Sequence, residues 1–178
     1  MHSGKPLPQD VEVSLAAPEQ EPVLANLLEL YAHDFSELID LQLGPDGRFG
    51  YPALPRYWTE EGRFPFLVTV DGHLAGFVLV SRGSRISGDP EVWDMAEFFI
   101  VRGCRKQGIG TAVAHEIWRR LPGCWEVRAM ERHQAACAFW DAAIAGYTGG
   151  GAEPADVELE GRRWQLFSFT SQAAEGGP

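Results

Sequence analysis

The chain has 178 residues, 45% of them hydrophobic, which is enough for one domain with its own core. A formal net charge of −10 argues against a nucleic-acid partner, because binding to a phosphate backbone requires clustered Lys and Arg. No run approaches the ~18 apolar residues of a membrane span, and residues 1–10 lack the apolar stretch of a signal peptide. The lack of such a run predicts no membrane partner. Three cysteines without a CxxC spacing favour neither a disulfide framework nor a metal site, so we expect a cytoplasmic protein without bound metal.

The first half of the chain predicts a helix followed by a hairpin. Apolar residues recur at helical spacing near Pro18–Phe35, behind an early proline. The segment 41–65 is rich in Gly, Pro and aromatic residues and predicts only a short helix near Pro55–Gly62. Two strand-like apolar runs then flank Asp71-Gly72, a dipeptide typical of a type I′ turn. These runs are Phe66–Val70 and Leu74–Val80.

The second half predicts strands that alternate with helices. The expected elements are a strand at Val92–Val101, a helix whose apolar stripe runs from Ile109 to Leu121, a strand around Trp125–Ala129, a helix at Gln134–Ala145, and two strands within Val157–Thr170 around Glu160-Gly161. This order predicts an α/β or α+β fold with one mixed sheet. We expect a single domain over residues 1–178, with frayed tails at about 1–10 and 171–178.

A loop rich in glycine and cations, VRGCRKQGIGT, joins the third strand to the following helix at Val101–Thr111. Glycines at the start of a helix let an anion approach several free backbone N–H groups, and the helix dipole adds positive potential there. Phosphate is therefore the expected ligand, with Arg105, Lys106 and Gln107 as mobile donors. A helix cap with solvated cations explains the same residues equally well. The loop matches neither a Walker A motif nor a dinucleotide-binding fingerprint.

The loop resembles the R/Q-x-x-G-x-G/A signature of the GNAT acyltransferases, with Arg105, Gly108 and Gly110 at its fixed positions. The resemblance extends over roughly Leu24 to Phe169. AEFFIV and WEVRAM stand where that family has its flanking strands, and HQAACAFWDAAI resembles its N-x-x-A-x-x-F-[YW] helix. LLELYAHDFSEL and FWDAAIAGYTGG are similar to a bacterial subgroup with LYxxDF and FWxxxIxxYT motifs. The resemblance implies a GNAT fold, with a splayed mixed sheet flanked by helices.

The resemblance also implies acetyl-CoA as a co-substrate. Its pyrophosphate would meet the backbone N–H groups of Lys106, Gln107, Gly108, Ile109, Gly110 and Thr111. Its pantetheine arm would pair with the backbone of Phe98, Phe99 and Ile100, and an N–H of that strand would bind the acetyl carbonyl. Two residues depart from the family pattern. His133 stands where Asn is usual, and Trp140 stands where many relatives carry a Tyr that protonates the leaving thiolate, although an indole cannot act as an acid.

Three carboxylates are candidates for the base that deprotonates the amine. In several relatives the base lies on the strand before the loop, at the position of Asp94. If that strand alternates cleanly, Asp94 shares a face with Ile100 and Glu97 points the other way, whereas a bulge would exchange the two. Glu126, on the next strand, is the third candidate. Each of these residues also has a simple explanation as a solvated or salt-bridged carboxylate.

The sequence thus predicts an N-acetyltransferase that moves an acetyl group directly from acetyl-CoA to a primary amine. The alternative is a non-catalytic module that binds CoA or acyl-CoA. The acceptor is a small molecule or a peptide, and the acidic composition favours a cationic amine. A homodimer is compatible with this interpretation. Tyr31, Asp34, Tyr57 and Trp58 lie in the region that shapes the acceptor pocket of the family, although core packing explains them more simply.

Overall fold

A computed structural model describes residues 10–173 of the chain. The predicted frayed tails therefore lie mostly outside the described residues. Ser171, which the prediction assigned to the C-terminal tail, is buried in the last strand. Within residues 10–173, no helix is both long enough and apolar enough to span a bilayer.

The described residues form one mixed sheet with helices on both faces. The strands are β1 Val11–Leu15, β2 Arg63–Val70, β3 His73–Arg82, β4 Trp93–Ile100, β5 Gly123–Met130, β6 Ala155–Leu159 and β7 Arg162–Ser171. The helices are α1 Glu21–Phe35, α2 Arg56–Thr59, α3 Ile109–Arg120 and α4 Gln134–Thr148. The sheet order is β1-β2-β3-β4-β5-β7-β6, and β4 and β5 form its parallel pair. The predicted fold class is confirmed.

Turn chemistry explains why both hairpins form where the sequence places them. Asp71 and Gly72 have φ values of 50° and 76°, and the Glu160-Gly161 turn between β6 and β7 has 53° and 71°. Positive φ at both central residues is the type I′ geometry, which Asp-Gly favours, whereas in the second turn only Gly161 adopts it readily. Strand β1 was not predicted from the sequence, because its alternating pattern is only five residues long and it buries Val13 alone.

Apolar residues on each face of the sheet pack against a different pair of helices. On one face, α3 and α4 cover a core that includes Val78, Met95, Trp118 and Trp125. On the other face, α1 and α2 cover a smaller core that includes Leu24, Tyr57, Phe77 and Phe99. We call this second side the α1 face.

Strands β4 and β5 separate soon after they begin. Their parallel ladder consists of Trp93–Trp125, Asp94–Glu126 and Met95–Val127. Beyond Met95, β4 keeps its pairing with β3 but has no partner on the β5 side among the described residues. Ala96, Glu97 and Phe98 are partly exposed there, whereas Met95 and Phe99 are buried. The sheet is therefore splayed at the point that the family resemblance implies.

A β-bulge in β4 changes which side chains share a face. Leu79 lies opposite Glu97 and Val80 lies opposite Met95, which leaves Ala96 as the extra residue. An extra residue reverses the alternation on either side of it. Asp94 and Glu97, although three residues apart, therefore both lie on the α1 face, and Ile100 lies on the opposite face. The expectation that a bulge would exchange the two carboxylates was wrong, because the bulge brings them together.

The close approach of β3 to the end of β4 requires a glycine. Gly76 lies opposite Ile100, and a Cβ at this position would be 2.0 Å from the carbonyl oxygen of Phe99. We expect Gly76→Ala to lower the free energy of unfolding by about 1–3 kcal/mol, because β4 must shift to relieve the overlap. Urea denaturation measures the change. Gly150→Ala is the control, since no atom lies within 4 Å of its added Cβ. Equal stability of the two variants would contradict this prediction.

Candidate active site

Backbone geometry at the end of β4 creates a concave array of N–H donors. Lys106 and Gly108 have φ values of 60° and 78°, and Gly108 is the N-cap of α3. N–H groups in the first turn of a helix have no intrahelical acceptor. In the described part of the chain, the N–H groups of residues 106–111 donate to no protein acceptor. The loop can therefore donate several hydrogen bonds to one anion, and we call Val101–Thr111 the donor loop.

Two of the three side chains that were expected to be mobile donors are already bound within the protein. Arg105 donates from Nε to the carbonyl of Ile100 at 2.6 Å and from Nη2 to Asp34 at 2.7 Å. Gln107 donates to the carbonyl of Gly103 at 3.0 Å. The expectation that these side chains are mobile donors was therefore wrong for Arg105 and Gln107. Lys106 is an exposed cation of the loop.

His133 serves as the N-cap of α4. Its Nδ1 accepts a hydrogen bond from the N–H of Ala136 at 3.1 Å. A ring nitrogen that accepts carries no proton, so the neutral ring is protonated at Nε2. His133 thus performs the capping role that Asn, a preferred capping residue, would perform at this position, and its Nε2–H is a donor.

The capping bond predicts how substitutions at His133 behave. We expect His133→Asn to keep the wild-type stability, because Asn can accept the same hydrogen bond. We expect His133→Ala to lower the free energy of unfolding by about 1 kcal/mol, the usual cost of losing a cap. Chemical denaturation of both variants measures this, and calorimetry with CoA reports binding. If His133→Asn is as unstable as His133→Ala, the imidazole contributes by some other contact.

Trp140 lies in an aromatic cluster beside the open edge of β4. Its ring centroid is 4.9 Å from that of Phe98 and 4.8 Å from that of Phe139. Phe98 is partly exposed at the separation of β4 and β5, so Trp140 forms part of the wall behind it. The indole can donate a hydrogen bond but cannot release a proton near neutral pH.

Asp94 forms a buried ion pair. Its side chain is 1% exposed, and Nη2 of Arg128 lies 2.9 Å from both carboxylate oxygens. Burial raises the pKa of Asp94, although the Arg128 charge and hydrogen bonds oppose this effect. Both oxygens are therefore engaged by a cation that is itself buried.

Glu97 lies on the same face but in a more open position. Tyr31 of α1 donates to one carboxylate oxygen at 2.6 Å, and Tyr51 donates to the other at 3.0 Å. Burial raises the pKa of Glu97 above its usual range, and the two phenol hydrogen bonds offset this only in part. Glu97 as a residue is partly exposed, whereas Asp94 is almost fully buried.

Glu126 holds a loop in place. Its carboxylate accepts a hydrogen bond from the hydroxyl of Ser84 at 2.6 Å, and the same hydroxyl accepts from the N–H groups of Ile86 and Ser87. These contacts tie the segment between β3 and β4 to β5. Glu126 is buried, and its position opposite Asp94 in the β4–β5 ladder brings two of the candidate carboxylates together.

Three tyrosines, Tyr31, Tyr51 and Tyr57, lie near Glu97. Tyr57 of α2 is buried, and burial followed by the charge of Glu97 raises its pKa to about 12. The prediction of core packing is thus confirmed for Tyr57. Trp58, which donates to the carbonyl of Ala16, also packs against this core. Tyr51 was not identified from the sequence, because segment 41–65 has no periodic pattern to indicate which side chains point inward.

The chain is similar to a known protein family in sequence and to solved structures in fold. A sequence model of the acetyltransferase (GNAT) family matches residues 24–147, whereas no curated protein has significant similarity to the chain. An acetyltransferase from Thermus thermophilus is 14% identical, with a TM-score of 0.68 over 92% of this chain and 98% of that one. The aminoglycoside acetyltransferase AAC(6')-Ib, solved with coenzyme A, is 14% identical, with a TM-score of 0.68 over 90% and 95%.

A third similar structure is the ribosomal-protein-S18-alanine N-acetyltransferase from Escherichia coli. It is 14% identical, with a TM-score of 0.59 over 95% of this chain and 99% of that one. At such identities the structural similarities show a shared fold. The sequence match spans α1 to the end of α4 and includes the donor loop, the splayed strands and the carboxylates described above. The chain belongs to the GNAT acetyltransferase family.

Proposed function

We propose that this protein transfers an acetyl group from acetyl-CoA to a primary amine, with Glu97 as the general base. The observation that carries the proposal is the position of Glu97, a partly exposed residue of β4 beyond the last pairing with β5, on the strand that leads into the donor loop. An anion-binding loop and a carboxylate of raised pKa on one continuous segment suit a donor with a pyrophosphate and an acceptor that must lose a proton.

The residues of the loop and of β4 fit acetyl-CoA as the donor. The N–H groups of residues 106–111 would bind the pyrophosphate, and the open edge at residues 98–100 would pair with the amides of the pantetheine arm. The bound acetyl-CoA supplies an activated thioester. The carbonyl of Ile100 already accepts from Arg105, which leaves the other backbone groups of this edge for the ligand. His133 Nε2–H and Trp140 would border the same channel.

The surroundings of the carboxylates favour Glu97 over Asp94 as the base. A general base must reach the amine and must be able to take up its proton. Asp94 has both oxygens on Arg128 and almost no exposure, so protonating it would leave the guanidinium unpaired. Glu97 accepts only from neutral phenols, which can remain donors to it in either charge state.

The reaction then follows from direct attack. Glu97 removes a proton from the ammonium form of the acceptor, and the freed nitrogen forms a bond to the thioester carbonyl carbon. The carbon–sulfur bond breaks, and the second nitrogen proton balances the charge of the departing thiolate, directly or through water. Trp140 supplies no proton in this scheme, and its role is to shape the channel.

The acceptor class follows from charge. The chain carries a net charge of −10, and Glu97 on the α1 face accepts hydrogen bonds from two tyrosines and has no cationic partner among the described residues. A cationic amine, either a small molecule or a peptide N-terminus, suits this surface. Acetylation of an aminoglycoside and of a ribosomal-protein alanine by structurally similar proteins is in keeping with an amine acceptor. A homodimer and a cytoplasmic location remain predictions.

An acetyl-transfer screen tests the proposal. Purified protein is incubated with acetyl-CoA and a panel of amines, including polyamines, aminoglycosides, amino acids and peptide N-termini, and the release of free CoA thiol is followed. Turnover that depends on one class of amine supports the enzyme. Tight CoA binding without turnover on any amine would favour the non-catalytic module, which the loss of the usual Tyr at Trp140 makes the natural second candidate. Absence of CoA binding would overturn both.

A further inference from the structure

The sequence LYAHDF in α1 carries two side chains that reach different parts of the site. Tyr31 donates to Glu97, and Asp34, one helical turn later, accepts from the donor loop. The hydrogen bond from Tyr31 belongs to the proposed base, Glu97. The function of Asp34 is not explained by any step of the reaction.

Three hydrogen bonds from two arginines converge on the Asp34 carboxylate. Arg102 donates from Nε at 3.1 Å and from Nη2 at 2.7 Å to one oxygen, and Arg105 donates from Nη2 at 2.7 Å to the other. The Asp34 side chain is only 23% exposed. Burial alone would raise the pKa of Asp34, but the hydrogen bonds from Arg102 and Arg105 outweigh it and lower that pKa below its usual range. Bonds between two charged groups are the shorter and stronger kind.

The loop has few other contacts that could hold it. Gln107 and the N–H groups of Cys104 and Arg105 bond to carbonyls of the loop itself. Within residues 10–173, the bonds to Asp34 are the side-chain hydrogen bonds that tie residues 102–107 to another helix. Lys106 has a φ of 60°, which is unfavourable for a residue other than glycine, so the surrounding structure must hold this conformation.

We propose that Asp34 is a positioning residue that holds the donor loop in place through Arg102 and Arg105. Arg105, at the signature position, binds the carbonyl of Ile100 and the carboxylate of Asp34. Its guanidinium lies 5.5 Å from the ring centroid of Phe99. Arg105 therefore orients the loop rather than the phosphate. Helix α1 thereby connects the acceptor side of the site to the cofactor side. This inference rests on the proposed function, because it assigns the loop to CoA.

The sign of the effect on binding distinguishes positioning from simple electrostatics. Removing a negative charge near an anionic ligand would by itself strengthen binding. If Asp34 positions the loop, its removal should weaken binding instead. We expect Asp34→Asn to raise the Kd for CoA and the KM for acetyl-CoA about tenfold, with kcat at saturation within about twofold of wild type.

Glu116 provides a matched control. It lies on α3 and accepts from Arg119 at 3.0 Å and from Arg120 at 2.7 Å, so it also pairs with two arginines. Glu116→Gln removes the same charge and breaks the same kind of contact without touching the loop. It should leave the Kd for CoA within about twofold of wild type.

A double-mutant cycle tests whether Asp34 acts through the arginines. In an Arg102→Met/Arg105→Met background, Asp34→Asn should change the Kd for CoA by less than about twofold, because its partners are already absent. Equal effects of Asp34→Asn in both backgrounds would show that Asp34 acts on the ligand directly and would overturn the proposal. Unchanged or tighter binding by the Asp34→Asn single variant would overturn it as well.

Hydrogen exchange separates this inference from the proposed function. In the ligand-free protein, the amides of Cys104 and Arg105, which donate to carbonyls of the loop, should exchange about tenfold faster in Asp34→Asn than in wild type, and Glu116→Gln should show no such change. If the wild type binds no CoA but the exchange difference is present, the proposed function fails while the positioning role stands. If the wild type binds CoA and the exchange rates are equal, the positioning role fails alone.

Discussion

Replacing Glu97 with Gln is expected to lower kcat by about 10²–10⁴-fold with little change in acetyl-CoA affinity, because the amide cannot accept the proton of the amine. Gln is isosteric with Glu and keeps an oxygen that Tyr31 or Tyr51 can donate to, so the fold should tolerate the change. Steady-state kinetics with the amine found by the screen, together with calorimetry for CoA, separates the effect on catalysis from the effect on binding.

The pH dependence of the wild type gives a second readout of Glu97. Only the carboxylate form can act as a base, so kcat should fall as the pH drops through the pKa of Glu97. Burial raises that pKa above its usual range, and the acidic limb should therefore lie at a higher pH than the titration of an ordinary glutamate. Glu97→Gln should remove this limb. The residual rate should no longer depend on the charge state of position 97.

Substitutions of the other two carboxylates decide between the candidates. Asp94→Asn should act mainly through stability, since it leaves Arg128 without its buried partner at a cost of about 3–5 kcal/mol. Glu126→Gln should leave the acidic limb in place, because Glu126 contacts the segment around Ser84. If one of these variants removes the limb and Glu97→Gln does not, that residue is the base. If all three retain it, the amine loses its proton through water.

The second large effect is expected at the donor loop, where Gly108→Val should weaken CoA binding by about 100-fold or more. Gly108 has a φ of 78°, which a β-branched residue strongly disfavours, and a side chain here would stand where an anion meets the backbone. The expected loss corresponds to about one or two charge-assisted hydrogen bonds. Calorimetry with CoA and acetyl-CoA measures it.

Gly149→Val controls for backbone strain. Gly149 ends α4 with a φ of 77°, and neither glycine has an atom within 4 Å of an added Cβ. The two variants should therefore lose similar stability, of the order of 1–3 kcal/mol. Only Gly108→Val should lose affinity for CoA. Equal affinity of both variants would remove the assignment of a phosphate to this loop.

Local chemistry determined the parts of the structure that the sequence could predict. Positive φ at Asp71-Gly72 and at Gly161 follows from the residues themselves, and both hairpins form there. The conformation of the donor loop is also determined locally, because Gly108, which has a left-handed backbone at the start of α3, is one of the signature glycines. Helix spacing placed α1, α3 and α4, whereas β1 was missed because five residues carry too little pattern.

The arrangement of the catalytic groups was decided by tertiary structure. The bulge at Ala96 becomes visible only in the register of β4 against β3, and it places Asp94 and Glu97 on one face against the expectation from alternation. Which carboxylate is paired depends on Arg128, 34 residues from Asp94, and on Tyr31 and Tyr51, 66 and 46 residues from Glu97.

The same holds for the loop's own side chains. The sequence shows Arg105 as a cation beside a phosphate-binding motif, yet the folded chain pairs it with Asp34, 71 residues away. Charge type and backbone conformation can be read from neighbouring residues because they depend on local sterics. Burial, pKa and pairing depend on groups that meet only when the sheet and helices have packed. The sequence therefore indicated the family and the donor loop, whereas the burial and partners of the candidate carboxylates were decided by the fold.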